Sequence, residues 1–211
     1  MGIGVLVLGY SASGKSTSMR NFDEDEMRIL NVAGKPLPFR KHLRKIDNAT
    51  YGNIIAALKC NDFNCYVIDD ANYLMAFENF ACAEEKGYGK FTTMAVNFEK
   101  VLRAIRNTSE DTIVYVMMHP DTDDDGRIKP KTIGKMLDNQ LTIEGLFSIV
   151  LYADYDEDGF HFYTRQHPYA PVKTPIGMFK EQRIDNDLKF VDSSIREYYE
   201  LPAAGKRKGV E

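Results

Sequence analysis

One short stretch gathers the residue types that can hold a polyanion: Gly9-Tyr10-Ser11-Ala12-Ser13-Gly14-Lys15-Ser16-Thr17. Its first eight residues fit G-x-x-x-x-G-K-[ST], a spacing suited to cradling phosphate groups. Without a Cβ, Gly9 and Gly14 let the backbone curl so that successive N–H groups point inward at an anion. Lys15 is then expected to neutralise β and γ phosphates, and Ser16 to offer its hydroxyl to Mg²⁺. A helix opening at this point would add its dipole to the attraction. The ligand expected over Gly9 to Thr17 is ATP with Mg²⁺.

A phosphate loop binds, and hydrolysis needs more. Mg²⁺ takes hard oxygen ligands, and Tyr66-Val-Ile-Asp69 has the form of a buried strand that ends on one. Asp69 is therefore the second expected metal ligand, beside Ser16. Asp70 is the nearest candidate to orient or deprotonate a water, although a helix N-cap role fits it equally. His119 stands where the strand Val114 to Met118 runs out, which in an open parallel sheet is where ligands bind. It can sense a terminal phosphate or be satisfied by its own loop. Arg165 and Lys173 flank a proline-rich segment; in a ring or filament either could reach a neighbour's phosphates, as an arginine finger does. Two D-x-D-x-D-G stretches, from Asp121 and Asp154, begin like calcium loops, but their twelfth positions are Thr132 and Arg165, so both read as Asp-Gly turns.

The elements that must position these groups alternate through the first 120 residues or so. Ile3 to Leu8 reads as a buried parallel strand, followed by a helix from Lys15 to Asn21. Arg28 to Val32 is a second strand, ended by Gly34-Lys-Pro36-Leu-Pro38. Arg40 to Lys45 is a basic run that reads as a solvated face. Helices are expected over Thr50 to Leu58, Ala71 to Lys86 and Phe91 to Asn107, the last with Met94, Phe98, Val101 and Ile105 on one face. Strands are expected at Asn64 to Asp69 and Thr112 to Met118. Asp121 to Lys135 reads as a polar loop in which Arg127, Lys129, Lys131 and Lys135 follow Gly126 with no acid between them. Phe147 to Ala153 and Phe160 to Thr164 form a hairpin. The order predicts an α/β fold, mainly parallel, with an antiparallel hairpin edge near the C-terminus. Residues 1–180 are expected to form the domain, and 181–211 an extension with a mobile basic tail.

The 44% apolar content over 211 residues supports a sizeable core. A formal charge of −4 restricts any nucleic-acid contact to local patches. Cys60, Cys65 and Cys82 read as buried free thiols in a reducing compartment. No stretch approaches the roughly 20 apolar residues of a membrane span. A soluble, cytoplasmic protein with no membrane partner is the expectation.

Taken together, the Gly9 to Ser16 loop, the Tyr66 to Asp70 strand end, Thr112 to His119, the Arg127 to Lys135 loop and Leu146 to Ala153 resemble the RecA-like P-loop NTPases encoded by bacteriophages. The Phe162 to Pro168 hairpin with Lys173 adds to the likeness. The resemblance is to the Sak-type single-strand annealing ATPases and related phage nucleotide-binding proteins, over Gly2 to Phe179. It implies a RecA core, DNA-dependent ATP hydrolysis, binding of single-stranded DNA, and strand annealing in recombination, alone or with a phage single-strand binding protein. It also implies a homo-oligomer, ring or filament, in the host cytoplasm. By position, Lys15, Asp70, His119 and Arg165 take catalytic places, and Arg127, Lys129, Lys131 and Lys135 that of the DNA-contacting loop. One departure stands out: RecA proteins carry a catalytic glutamate after the second strand, whereas Asn31-Val-Ala-Gly-Lys-Pro36 offers no acid. Two other readings are a P-loop nucleoside or nucleotide kinase, with Asp121 to Lys135 as its lid, and a nucleotide-dependent partner-binding protein with little turnover.

Overall fold

Alternate residues of β1 (Ile3–Leu8) serve two opposite layers: Val5 and Val7 enter one core, Leu6 and Leu8 the other, all fully buried. A strand apolar on both sides must lie inside a covered sheet, and β1 does. The computed structural model describes residues 1–134 and 141–207. In it, β1 is hydrogen-bonded on both sides within an eight-stranded sheet of order β10-β9-β8-β1-β5-β4-β2-β3. Here β2 is Arg28–Asn31, β3 Arg44–Asp47, β4 Cys65–Asp69 and β5 Ile113–Met118. Further along come β8 (Ile149–Asp156), β9 (Gly159–Tyr163) and β10 (Arg183–Asp185). All pairings from β8 to β3 are parallel, and β9 and β10 extend the sheet antiparallel. The expected α/β sheet with a hairpin edge is what forms.

One face is covered by α1 (Tyr51–Cys60), α2 (Asn72–Ala81) and α3 (Gly89–Arg106), whose Ile54, Leu74, Phe98, Val101 and Ile105 pack on Leu6, Ile68 and Val116. Thr50 starts α1 with a reciprocal capping box to Asn53. The other face is covered by α4 (Leu188–Tyr198), through Leu188, Val191 and Ile195, together with Met19 and Phe22. The chain runs outward from β1 to β2, returns through β4 and β5, then crosses to the far side of β1 for β8. That reversal puts the topological switch point at the carboxyl end of β1, where α/β sheets take ligands.

Several expectations are corrected. The helix after the loop is a 3-10 helix, Ser16–Asn21. Its Ser, Thr and Asn residues are poor α-formers, and Ser18 Oγ bonds back to Lys15 O at 2.5 Å. Burial of Met19 and Phe22, three apart, suits the tighter spiral. The polar stretch after His119 is a two-stranded hairpin, β6 (Pro120–Thr122) with β7 (Ile128–Pro130). Its tip closes by Asp123 Oδ1 accepting from the amides of Asp125 and Arg127. The basic run Arg40 to Lys45 is exposed as expected apart from Leu43; what the sequence reading did not include is that Arg44 and Lys45 open the edge strand β3, where they pair with Asp25 and Asp47. Of the cysteines only Cys65 is buried; Cys60 is exposed and Cys82 half-buried.

Residue 180 does not divide the packing. Strand β10 pairs with β9, and α4 is bolted to the sheet by Arg196. Its guanidinium meets Asp192 at 2.6 Å and donates to the carbonyls of Asn64, Asp111 and Pro202, while Tyr115 donates to Asp192. The tail residue Arg207 pairs with Asp111 at 2.5 Å, so the basic end is anchored through its last described residue. Among the described residues no helix is long and apolar enough to cross a membrane. Removing one partner of a buried ion pair leaves the other charge uncompensated. Arg196→Met should therefore lower stability by about 3–5 kcal/mol, read from the urea midpoint; a loss under about 1 kcal/mol would show that this network is not what fixes the C-terminal elements.

Candidate functional site

The Gly9 to Thr17 loop leaves β1 at the switch point and is held by contacts that leave no room for larger residues. A Cβ at Gly9 would lie 2.3 Å from Ser13 Oγ and 2.7 Å from Ala153 O. Gly14 has φ +86°, and a Cβ there would meet the Phe160 ring at 2.9 Å. With Ala12 also left-handed at φ 66°, the backbone turns twice within three residues. Among the described residues none accepts a hydrogen bond from the amides of Gly14, Lys15 or Ser16. Three consecutive free N–H groups on a concave turn are what an anion requires.

Lys15 is nearly fully buried and folds back to donate to Gly9 O at 2.6 Å and Tyr10 O at 2.8 Å. Burial pushes its pKa down to about 8, against the opposing pull of Asp70 and Asp69. Ser16 Oγ donates to both oxygens of Asp69, at 2.9 and 3.1 Å, so the strand end of β4 touches the loop across the intervening β5. Asp69 is 5% exposed; burial and then the neighbouring Asp70 raise its pKa to about 6. A hydroxyl and a buried carboxylate in contact are a fit donor pair for Mg²⁺, which keeps several waters and needs few protein ligands. Among the described residues there is no cluster of three or more His, Cys, Asp or Glu side chains suited to a metal.

Asp70 sits in the left-handed region at φ 59° and faces an ammonium and an imidazole. Lys35 Nζ lies 2.6 Å from its Oδ2, and His119 Nε2 3.3 Å from its Oδ1. Burial works against the Asp70 charge, but the bonds from His119 and Lys35 outweigh it and hold its pKa below the usual carboxylate range. His119, at the end of the intervening strand, is fixed by its own amide donating to Asn72 Oδ1 and by the edge of Tyr73 at 5.9 Å. The two roles weighed for Asp70 thus separate: its side chain makes no helix cap, as α2 has no side-chain cap bond.

Residues Ser11 to Thr17, Lys35 to Pro38, Asp69, Asp70 and His119 together line a cavity of about 230 Å³. That is below the usual range of about 300–1,000 Å³ for whole-ligand pockets, so it suits the charged end of a ligand. Clefts of about 610 and 1000 Å³ lie elsewhere, built from other residues.

The structure therefore brings Lys15, Ser16, Asp69, Asp70 and His119 together. It does not bring Arg165 to them. Strand β9 runs away from the loop end of the sheet, with Tyr163 level with Tyr152 and Leu8, and Arg165 beyond donates to Lys180 O. Lys173 is exposed and its backbone pairs with Val150. Arg127 and Lys131 are exposed on the β6–β7 hairpin, Lys129 is half-buried there, and Lys135 lies outside the described residues. The hairpin touches the loop through Tyr10 Oη and Thr122 Oγ1 at 3.2 Å, and touches His119, whose carbonyl accepts from Lys131 N. Lys35 is the residue that sequence reasoning missed, taking Gly34 to Pro38 as a chain breaker alone. Its signal was a cation in the loop that follows a parallel strand, at the edge where ligands bind. No protein-family model matches this chain, and no curated protein does.

Gly14→Ala should cost about 1–3 kcal/mol of stability, from the positive φ and the Phe160 contact. Adding Phe160→Ala should fail to restore it fully in urea unfolding, because the φ cost stays; full restoration would mean that contact with Phe160 is the whole constraint on Gly14.

Proposed function

We propose that this chain is a P-loop ATPase of RecA-like build that binds ATP with Mg²⁺, hydrolyses it, and works on single-stranded DNA in strand annealing. The observation that carries the nucleotide reading is the junction of Lys15 and Ser16. There three unpaired backbone amides, a buried ammonium and a hydroxyl on a strand-end carboxylate all face one small cavity. In this reading the loop amides and Lys15 hold the β and γ phosphates, and Ser16 and Asp69 would hold Mg²⁺, which when bound would supply charge neutralisation.

Hydrolysis requires a water to attack the terminal phosphorus as the bond to the bridging oxygen breaks and ADP leaves. In this reading Asp70 takes the water's proton, and His119 reports on the terminal phosphate. Because Asp70 is engaged by both Lys35 and His119, slow turnover is expected without a trigger. That engagement is also what favours the second reading, a nucleotide-dependent partner-binding protein.

Support for a DNA role comes from the hairpin. Arg127 and Lys131 stand exposed on an element bonded both to the loop and to His119, so a polyanion on the hairpin has a short mechanical route to the phosphates. Contacts of this kind are made to backbone phosphates and weaken with salt. A homo-oligomer that supplies Arg165 or Lys173 in trans, and a phage single-strand binding protein as partner, belong to the same proposal.

The test is the ATP hydrolysis rate with and without single-stranded DNA, alongside equilibrium ATP binding by Lys15→Ala. Loss of the buried charge-assisted contacts should weaken ATP by roughly 100-fold, and DNA should raise the wild-type rate. Unchanged ATP affinity in the variant would overturn the phosphate-loop assignment; a rate indifferent to DNA would overturn the DNA role.

A further inference from the structure

We infer that Lys35 is a terminal-phosphate ligand in cis, which leaves Asp70 for the nucleotide and so makes the site distinguish triphosphate from diphosphate. The inference rests on the proposed nucleotide reading and goes beyond it, since neither composition nor motif gave Lys35 a role.

Three observations carry it. First, the main chain beneath Lys35 is fixed while its side chain is not. Asn31 Nδ2 donates to Lys35 O at 2.8 Å, Gly34 is left-handed at φ 66° and packed so that a Cβ would strike Asn48 Oδ1, and Pro36 follows. Beyond that anchor the Lys35 side chain is 60% exposed, held only at its tip by Asp70, with the ring of Tyr73 at 5.9 Å beneath the ammonium. A compact charge on a four-carbon stem with a rigid base is built to swing.

Second, Lys35 and Lys15 line the same 230 Å³ cavity, with Asp69 and Asp70 in the same lining. Lys15 donates to the loop carbonyls of Gly9 and Tyr10, and Lys35 pairs with Asp70. A polyanion entering beside the amides of Gly14 to Ser16 meets both cations, Lys15 over the middle of the chain of phosphates and Lys35 from the side of Asp70.

Third, the two groups on Asp70 differ in exposure. The His119 side chain is 18% exposed with its ring packed on Tyr73, whereas the Lys35 side chain is 60% exposed and, among the described residues, its ammonium has Asp70 as its one ion-pair partner, beside the Tyr73 ring. Exchange of Lys35 from carboxylate to phosphate conserves one charge-assisted contact and leaves Asp70 with His119 alone. A diphosphate, one phosphate shorter, gains less from the exchange.

The experiment is calorimetric binding of a non-hydrolysable ATP analogue and of ADP, both with Mg²⁺, to wild type, Lys35→Met, Lys35→Arg and Asp70→Asn. Wild type should favour the triphosphate. Lys35→Met should lose about tenfold or more of that preference with ADP affinity kept. Lys35→Arg should retain most of it. Asp70→Asn, which releases Lys35 from its resting partner, should increase the preference, and Lys35→Met in that background should abolish the gain. If Lys35→Met and Asp70→Asn both leave the ratio of the two affinities unchanged, the assignment of Lys35 is wrong while the loop stands. If neither nucleotide binds wild type, the nucleotide reading itself fails, and the inference with it.

Discussion

The carboxyl edge of the sheet must keep one lysine and two carboxylates out of water in one small space, with a second, exposed lysine at its rim, and most of the local structure serves that constraint. Lys15, Asp69 and Asp70 are all buried, while the strands behind them are apolar on both faces. A single charge in such a place costs several kcal/mol. The site avoids that cost by alternation: Lys15 lies within reach of Asp69 and Asp70, Lys35 closes on Asp70, and Ser16 gives its hydroxyl to Asp69. The balance is incomplete, as the raised pKa of Asp69 near 6 and the lowered one of Lys15 near 8 both record. An anion with a divalent cation is the ligand that would complete it, the anion answering the lysines and the free amides, the cation answering Asp69.

That reasoning links the sheet order to the chemistry. Because β5 lies between β1 and β4, the loop, His119 and the Asp69-Asp70 pair are delivered from three neighbouring strand ends, and Lys35 from the next strand, β2. Parallel strands deliver all four groups to the same edge. The β8–β9 hairpin overhangs the loop from the other side, with Phe160 against Gly14, and the β6–β7 hairpin leans on Tyr10. Pieces far apart in sequence thus bear on the same nine residues, and a change of ligand there has several elements through which to be felt.

Much of this was legible in the chain. The loop motif, the strand ends at Asp69 and His119 and the hairpin at Gly159 are local signals, set by glycine placement and by runs of β-branched residues. What was not legible is tertiary. Arg44 and Lys45 are solvated as read, but the strand they open was not legible, because an edge strand can be charged without losing its ladder. The 3-10 helix replaced an α-helix because serine and threonine side chains compete for the backbone. The helix Leu188–Tyr198 was passed over because its apolar face makes sense only against the sheet, where Arg196 finds its partners more than eighty residues away in Asp111 and Asn64. Lys35 was hidden for a similar reason: nothing in Gly34-Lys-Pro36 shows that Asp70 stands opposite.

The most direct measurement of the central claim is an amide NMR titration of the ¹⁵N-labelled protein with a non-hydrolysable ATP analogue and Mg²⁺. The account predicts that the largest saturable shifts fall on the amides of Gly14, Lys15 and Ser16, the three that have no acceptor among the described residues. Saturation with those three resonances unmoved would contradict it.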